Sequence, residues 1–348
     1  MGGGRQAKRC SGAWTCVFRR LDVPGQRTRG QDRREAAQVG DIPRGIEVAV
    51  TQRVALPRRI VRGLRYMLTR RCAQRGFRLR PSDLTTQIFA YALALAMAKT
   101  RVEVHAICVM SNHIHIVVTD VEGRLPEFMR ELNRPTAKAL NASQGQWENL
   151  WAAEPYNEVV LPTEDELLDK VAYVAANPVE AGLVESPTAW PGLIHWMPAE
   201  GTVAKPDVYF GKKAPDFATW RITAPSGMRW SDEEWRARLK SRVQSRVDRA
   251  RQKVTRDGGK FLGRKAVLAQ SFAKRAASYE EKGGIIPRFA ARTRATYLQM
   301  VRTLRAFQRG YSKALDAWRA GVRDVVFPHG TYWMVVHHHA PVKPPLAA

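Results

Sequence analysis

Two histidines, His113 and His115, stand one residue apart in the apolar, β-branched stretch VMSNHIHIVVTD, residues 109–120. Side chains alternate between the two faces of a β-strand, so both imidazoles would project from one face while Ile114 and Ile116 fill a core on the other. Their Cα atoms would lie roughly 6–7 Å apart, which lets two ring nitrogens converge on one metal ion. Two separate strand histidines, each with its own hydrogen bond, remain the alternative.

A second stretch with chemical potential, DELLDKVAYVAANPVEAGLV, occupies residues 165–184. Helical spacing places Lys170, Tyr173 and Asn177 on a polar stripe, so the phenol is displaced from the expected core face. A phenol can act as a nucleophile, and the amide oxygen of Asn177, one turn later, could complete a metal site. Taken alone, Tyr173 could equally be a rim residue in water, and Asn177 a helix cap before Pro178.

Seven elements must position these residues. Apolar periodicity predicts, in chain order, a strand at 66–70, a helix at 80–100, strands at 101–110 and 113–119, a helix at 123–143, a strand at 156–162 and a helix at 163–178. Pro135 should kink or break the second helix, and Pro178 should close the third, which a capping box of Thr163 and Glu166 opens. This β-α-β-β-α-β order followed by a helix predicts an α+β fold with a ferredoxin-like antiparallel sheet.

The chain is predicted to have three parts. Residues 1–50 are rich in Gly, Arg and Gln and should form a disordered basic tail. Residues 51–200 contain both stretches described above and should form the catalytic domain. Residues 201–348 are predicted to be a basic, mainly helical extension, with a long helix capped by Ser231 and Glu234 and a final strand in FPHGTYWMVVHHH.

Charge is the strongest compositional signal. The chain has 57 Lys and Arg against 32 Asp and Glu, a formal net charge of +25. A chain with this surplus is attracted to polyanions, and nucleic acid is the commonest such partner. No run of eighteen apolar residues and no secretory leader pattern occur, so we expect a cytoplasmic protein without a membrane span.

Two other known uses of an H-x-H pair fit this sequence poorly. Histidine-triad nucleotide hydrolases carry H-x-H-x-H, and Val117 occupies the third position here. Metallo-β-lactamase-like hydrolases carry H-x-H-x-D-H, and the stretch HIHIVV lacks both the Asp and the later His. Both families are therefore much weakened as explanations of the pair.

The two stretches together resemble the single-tyrosine HUH transposases, and especially the REP-associated tyrosine transposases. HIH at 113–115 has the family's pattern of His, bulky apolar residue, His, and VMSNHIHIVV is similar to its MPNHxH strand, with Ser111 where Pro is usual. YVAANPVEAGLV, which begins at Tyr173, is similar to the family's YIHxNPVxAGLV segment, and YMLTRRC to its first strand. The resemblance covers about residues 58–200.

The resemblance implies cleavage and rejoining of single-stranded DNA, often beside hairpins, through a 5′-phosphotyrosine formed on Tyr173. It also implies a divalent cation, Mg or Mn, bound by His113 and His115, with Asn177 as a candidate third ligand. Imidazole suits Mn better than Mg, so the sequence leaves the ion open.

We further expect Arg70, Arg71 and Lys170 to contact DNA phosphates, the alternative being a solvated charged surface. Trp147 and Trp151 could stack on bases, although core packing is the more ordinary use of tryptophan. The protein is expected to act as a monomer or a homodimer.

Two other functions stay open on the sequence. One is a domesticated, non-catalytic nucleic-acid-binding protein on the same scaffold. The other is a metal-dependent RNA or nucleotide hydrolase, in which Tyr173 would be dispensable.

Overall fold

The structure, a computed structural model, describes residues 57–208, 210–277 and 287–345, so the predicted basic tail at 1–50 lies outside it. The protein is α+β, as predicted. None of the helices in these ranges has the length and apolar character that a bilayer crossing requires. The strands and helices are, in chain order, β1 Leu64–Arg71, α1 Asp83–Thr100, β2 Glu103–Val109, β3 His113–Asp120, α2 Leu125–Ser143, β4 Asn157–Val160, α3 Glu164–Glu180, β5 Ile194–His195, β6 Ala199–Ala204, β7 Phe217–Ile222, α4 Asp232–Arg256, α5 Arg264–Leu268, α6 Arg294–Arg319 and α7 Trp333–His338.

One mixed, mostly antiparallel sheet has the strand order β4-β1-β3-β2-β7-β6, and β5 also pairs with β2. The first four strands along the chain pair antiparallel, with β3 between β1 and β2. Beyond β2 the sheet continues, because β7 joins β2 in parallel at Val104 and Ile222, and β6 pairs antiparallel with β7. A four-stranded ferredoxin-like sheet would end at β2, so this hairpin is an addition to the predicted pattern.

The chain beyond residue 200 is less uniformly helical than the sequence suggested. Position 200 itself falls inside β6, and the hairpin of β6 and β7 has a close approach at Gly201, where an added Cβ would lie 2.6 Å from the ring of Trp220. The predicted long basic helix is α4, and its capping box of Ser231 and Glu234 is confirmed.

The final strand predicted for FPHGTYWMVVHHH is wrong. Residues Trp333–His338 form the helix α7. Met334 on this helix packs in a small cluster with Phe327 and with Ala314 of α6, so its burial comes from a helix face. A short apolar run fits a buried helix as well as a strand, and periodicity alone does not separate the two.

Neither proline ends its helix, so the predicted close of α3 at Pro178 and a break of α2 at Pro135 are wrong, while a kink at Pro135 stays a prediction. Pro135 lies inside α2, which continues to Ser143, and Pro178 lies inside α3, which continues to Glu180. An internal proline removes one helical hydrogen bond, but tertiary packing on both sides can keep the helix intact. The chain leaves α3 at Gly182, which has a positive φ of 69° and donates its N–H to the carbonyl of Val179.

The start of α3 only partly follows the predicted capping box. The Thr163 side chain accepts from the backbone N–H of Glu166, at 3.4 Å, as expected for an N-cap. The Glu166 carboxylate accepts instead from the backbone N–H of Arg292, at 2.9 Å. This buried carboxylate therefore ties the start of α3 to a segment far along the chain.

Helices cover both faces of the sheet. The helices α1 and α2 enclose one core, and α3 and α4 enclose the other. From β3, Ile114 and Ile116 enter the first core and Val117 enters the second. The predicted alternation of β3 is confirmed, and it places His115 on the face that α3 covers.

A histidine outside the predicted site stabilises a bulge in β2. The register with β3 shifts between Val104 and Ala106, so His105 is the extra residue. Its Nδ1 lies 2.9 Å from the carbonyl oxygen of Thr223 and its Nε2 lies 2.7 Å from Oγ1 of Thr119. A carbonyl only accepts, so Nδ1 carries the proton and Nε2 accepts from the hydroxyl. Burial lowers the pKa of His105 to about 4.

We expect His105 to make the stability of the fold depend on pH. Its pKa is about 4 in the folded protein against an ordinary value of 6.5, so its contribution is fully present above pH 6.5 and is lost as the pH falls toward 4. Between pH 6.5 and pH 4, protonation of His105 in the unfolded chain should lower the unfolding free energy of wild type by about 3 kcal/mol. His105→Gln should lack this part of the pH dependence. Urea unfolding at a series of pH values measures this, with exposed His338→Gln as the control. An unchanged pH slope in His105→Gln would contradict the assignment.

Candidate active site

The candidate site lies at the end of the sheet where β1 ends and β3 begins. The two strands pair with Arg71 opposite His113 and Thr69 opposite His115. Directly opposed residues of an antiparallel pair project from the same face, so these four side chains share the face covered by α3. The site is therefore built from two strands and one helix.

Hydrogen bonds at Nδ1 orient both imidazoles. Nδ1 of His115 lies 2.9 Å from Oγ1 of Thr69, and Nδ1 of His113 lies 2.7 Å from Oδ1 of Asn112. The Asn112 amide also donates from Nδ2 to the carbonyl oxygen of Arg75, at 3.3 Å, so its oxygen is the atom turned toward His113. An amide oxygen only accepts, so Nδ1 of His113 donates. This leaves its Nε2 with a lone pair.

The two imidazoles form one unit with a ring-centroid separation of 4.7 Å and an interplanar angle of 78°. Burial is the main reason that the pKa of His113 falls to about 4, and the cations of Arg71 and Arg75 lower it further. Burial also holds the pKa of His115 well below its ordinary value, with further contributions from His113 and Lys170. Both rings are therefore neutral at neutral pH, which is the state that binds a metal.

Tyr173 lies against this pair. Its ring centroid is 5.3 Å from that of His115, in an edge-to-face arrangement at 71°. The side chain is half-buried, with the apolar residues Val171 and Val174 beside it in the core under α3. The predicted meeting of a phenol and two imidazoles, from segments about 60 residues apart in the chain, is thus present in the fold.

Asn177 follows Tyr173 by one turn on the same helix. It is 7% exposed, and because α3 runs on to Glu180 it is an interior helix residue rather than the terminal cap that the sequence allowed. Its backbone carbonyl accepts from the N–H of Ala181. Its part as a metal ligand stays a prediction.

Positive charge surrounds the site. Arg71 shares the face of His113, and the Nζ of Lys170 lies 5.8 Å from the ring centroid of Tyr173. Arg246 of α4 approaches the same ring, with its Cζ 5.5 Å from the centroid. A cluster of cationic side chains like this one attracts anionic groups such as phosphate.

Arg70 lies elsewhere. It is opposite Ile114 in the register, so it projects from the other face of the sheet than the histidines do. Its guanidinium donates to the carbonyls of Glu154 and, at 3.0 Å, of Ala152, and it lies 5.9 Å from the ring centroid of Trp151. Arg70 thus holds the loop before β4, and this placement gives no support to a phosphate contact beside the imidazoles.

Four further residues belong to this site without having been predicted from the sequence: Thr69, Asn112, Arg75 and Arg246. Asn112 lies directly before His113 in the chain, but no pattern in the sequence marks it as the partner of that imidazole. The role of Thr69 depends on the register between β1 and β3, which the sequence does not fix. Arg246 is one of many cations on a basic helix, and nothing in its local sequence sets it apart.

The residues present fit a divalent cation in part. Two neutral imidazoles with oriented Nδ1 atoms are an ordinary pair of ligands, and their Nε2 atoms are the ones left to coordinate. Within the described ranges, no group of three His, Cys, Asp or Glu side chains could hold a metal ion. Further ligands would have to be an amide such as that of Asn177, water, or oxygens of a bound phosphate.

Comparison with known proteins gives limited similarity. No protein-family model matches the chain, and no curated protein matches it. In structure the chain is similar to a REP-associated tyrosine transposase bound to a REP hairpin, at 20% identity and a TM-score of 0.34, over 40% of this chain and 81% of that one. It is also similar to a proposed transposase from Deinococcus radiodurans, at 18% identity and a TM-score of 0.23, over 30% of this chain and 85% of that one.

We expect the hydroxyl of Thr69 to set the metal affinity of His115. Thr69→Val keeps the branched shape but removes the hydrogen-bond partner of Nδ1, so the ring loses its orientation. Affinity for Mn²⁺, measured by electron paramagnetic resonance, should fall about tenfold or more. Thr202→Val, which removes a hydroxyl paired with Thr219 on the added hairpin, is the control and should leave it unchanged. Equal affinities of the two variants would show that Thr69 does not orient a ligand.

Proposed function

We propose that the protein is a DNA transposase of the HUH type, a metal-dependent single-stranded DNA endonuclease and strand transferase that works through a 5′-phosphotyrosine. One observation carries the proposal: the ring of Tyr173 lies 5.3 Å from that of His115, which is itself 4.7 Å from that of His113. A nucleophile and a pair of neutral imidazoles at one place are what phosphoryl transfer to tyrosine needs.

In the proposed reaction the phenolic oxygen of Tyr173 attacks the phosphorus of a DNA phosphodiester. The new bond joins phosphorus to the tyrosine oxygen, and the bond from phosphorus to the 3′-oxygen breaks. The phenol loses its proton, and the leaving 3′-oxygen gains one, so the products are a 5′-phosphotyrosine and a free 3′-hydroxyl. A second 3′-hydroxyl can reverse the same exchange, which rejoins strands without an external energy source.

His113 and His115 would bind the divalent cation through Nε2, with Asn177 as the proposed third protein ligand. A bound Mg or Mn ion supplies Lewis-acid polarisation of the phosphate. The protein's own contribution is to keep both rings neutral by burial and to hold their Nδ1 atoms against Asn112 and Thr69.

The charge of the site supports DNA as the partner. Arg71, Arg75 and Lys170 lie close enough to lower the pKa values of the two histidines, so a phosphate at the site would be surrounded by cations. The net charge of +25 adds a long-range attraction for a polyanion. Single-stranded DNA beside a hairpin is the substrate that we propose, acted on by a monomer or a homodimer.

An exposed tryptophan in the loop before β4 is suited to stacking on an unpaired base. Trp147 is 88% exposed, whereas Trp151 is buried and donates from Nε1 to the carbonyl of Asn133. The same loop reaches the site end of β1, where the N–H of Ala152 donates to the carbonyl of Arg71, at 3.0 Å. Of the two tryptophans in the stretch QWENLW, Trp151 therefore serves core packing and Trp147 presents an exposed ring.

A non-catalytic nucleic-acid-binding protein on the same scaffold is the second candidate. Within the described part of the chain, no carboxylate, cysteine or third histidine joins His113 and His115 in a group that could hold a metal ion, and this favours the non-catalytic candidate. A phosphate-cutting hydrolase in which Tyr173 is dispensable would instead leave a free 5′-phosphate, so the nature of the product separates all three possibilities.

The decisive test is a covalent protein–DNA adduct. Labelled single-stranded oligonucleotides with a hairpin beside a randomised flank are incubated with the protein and Mg²⁺ or Mn²⁺, and adducts are resolved on denaturing gels. Wild type should form an adduct, while Tyr173→Phe should form none because the nucleophilic oxygen is missing. His113→Ala and His115→Ala should each lower adduct formation by about 10³-fold or more, since metal catalysis is lost.

DNA binding should survive these changes. The three variants should bind the same oligonucleotides within about twofold of wild type, with affinity that falls steeply with salt, because the broad basic surface is intact. Binding without an adduct in wild type would support the non-catalytic candidate. An adduct that persists in Tyr173→Phe would remove Tyr173 from the mechanism.

We expect Trp147→Ala to weaken binding of single-stranded DNA. Loss of one stacked base corresponds to about 1–3 kcal/mol, or roughly 5- to 150-fold in affinity, and Trp147→Phe should recover most of it. Fluorescence anisotropy with a labelled oligonucleotide measures the change. Trp333→Ala, at another exposed tryptophan, is the control. Equal losses in the Trp147 and Trp333 variants would rule out a specific stacking role.

A further inference from the structure

The long basic helix α4 lies along α3, the helix that bears Tyr173. Four residues of α4 at helical spacing, Trp235, Leu239, Val243 and Val247, are buried in the core that α3 also enters. An amphipathic helix gains most of its stability by burying such a stripe. This contact covers the outer side of α3 with a helix from the predicted C-terminal extension.

Ion pairs accompany this apolar contact. Arg229, just before α4, pairs with Glu164 and Asp165 in the first turn of α3, at 3.0 Å in each case. Further along, Arg242 lies 3.4 Å from Asp169. The carboxylates of α3 therefore face cations from the α4 segment over several turns.

Arg246 makes the most extensive of these contacts. Its guanidinium lies 3.1 Å from Asp169 and 2.7 Å from Glu180, and its Cζ lies 5.5 Å from the ring centroid of Tyr173. Asp169 is one turn before Tyr173 on α3, and Glu180 is two turns after it. One planar cation thus joins two carboxylates that flank the phenol on its own helix.

The environment of Arg246 fits a fixed rather than a fluctuating side chain. It is 15% exposed, and its Nε is buried without a hydrogen-bond partner among the described residues. Burial opposes its charge, but Asp169 and Glu180 outweigh burial and raise the pKa of Arg246. These ion pairs are half-buried, and such pairs contribute little net stability compared with apolar packing. We therefore assign this cluster a part in fixing geometry.

We propose that Arg246 is a positioning residue for Tyr173, which fixes the tyrosine helix of the same chain so that the phenol stays beside the imidazoles. The proposal rests on the proposed function, and it gives the segment beyond residue 200 a defined part in strand cleavage. Arg246 acts through Asp169 and Glu180 on the backbone of α3 and through its guanidinium on the ring.

The test compares single-turnover adduct formation with DNA binding, on an oligonucleotide that wild type cleaves. At saturating DNA, Arg246→Ala should lower the rate constant by about 10- to 100-fold, since a misplacement of about 1 Å has effects of that size. The dissociation constant for DNA should change by less than about twofold, because one of many cations is lost. Arg246→Lys should give an intermediate rate constant, because an ammonium keeps the charge but lacks the planar set of donors that reaches two carboxylates at once.

Arg249→Ala is the matched control. Arg249 lies on the same helix, is exposed, and donates from Nε to the carbonyl of Ser245 within α4. Its loss removes the same charge and should leave the rate constant unchanged. Equal rate constants for Arg246→Ala and Arg249→Ala would overturn the proposal, and so would an equal loss of binding and cleavage in Arg246→Ala.

A second variant and a second measurement guard against misfolding and against failure of the proposed function. Glu180→Gln removes the negative charge of one partner of Arg246 but keeps its shape, so it should lower the rate constant by several-fold without loss of fold. Amide hydrogen exchange of α3, measured without DNA, should be faster in Arg246→Ala than in Arg249→Ala. If wild type forms no adduct, the proposed function fails, while unchanged exchange in α3 would overturn the part assigned to Arg246.

Discussion

The antiparallel pairing of β1 with β3, in one register, is the constraint on which the candidate site depends. It sets Thr69 opposite His115 and Arg71 opposite His113, so a hydroxyl and a cation share the face of the imidazoles. A slip of one residue would turn one strand's side chains to the other face and remove these partners. Packing on both faces of the sheet stabilises this register, because alternate apolar residues of β3, such as Ile116 and Val117, are buried in separate cores.

The electrostatics of the site follow from this burial. Desolvation lowers the pKa values of His113 and His115, and the cations of Arg71, Arg75 and Lys170 add to the effect. Neutral imidazoles can coordinate a metal, but a metal cation alone would meet positive charge on several sides. A phosphate offsets that repulsion, and a cation in turn offsets the repulsion between phosphate oxygens and the phenolic oxygen. If a cation and a phosphate bind here as proposed, the positive surroundings would favour their joint binding over binding of the cation alone.

Local patterns predicted the elements up to α3 because each has a clear period and a short connection. The same periodicity placed the imidazoles on one strand face and Tyr173 off the apolar stripe of its helix, and the fold brings them together. Tertiary contacts decided the rest. Pro135 was expected to kink or break α2 and Pro178 to close α3, yet both helices continue. The pairing of β7 with β2 was likewise absent from the predicted pattern. One hydrogen-bond partner of His105 is the carbonyl of Thr223, more than 100 residues later, and no local pattern encodes such a contact.

The segment beyond residue 200 is physically part of the same fold as the candidate site. A cut there would pass through β6 and separate Ile222 from the first core. It would also remove α4 and so uncover the outer side of α3, where Leu239 and Val243 now lie. Apolar surface of that extent, left in water, destabilises a helix whose own capping and propensity are modest. Because α3 presents Tyr173, the geometry of the candidate site depends on residues that contribute no ligand and no nucleophile to it.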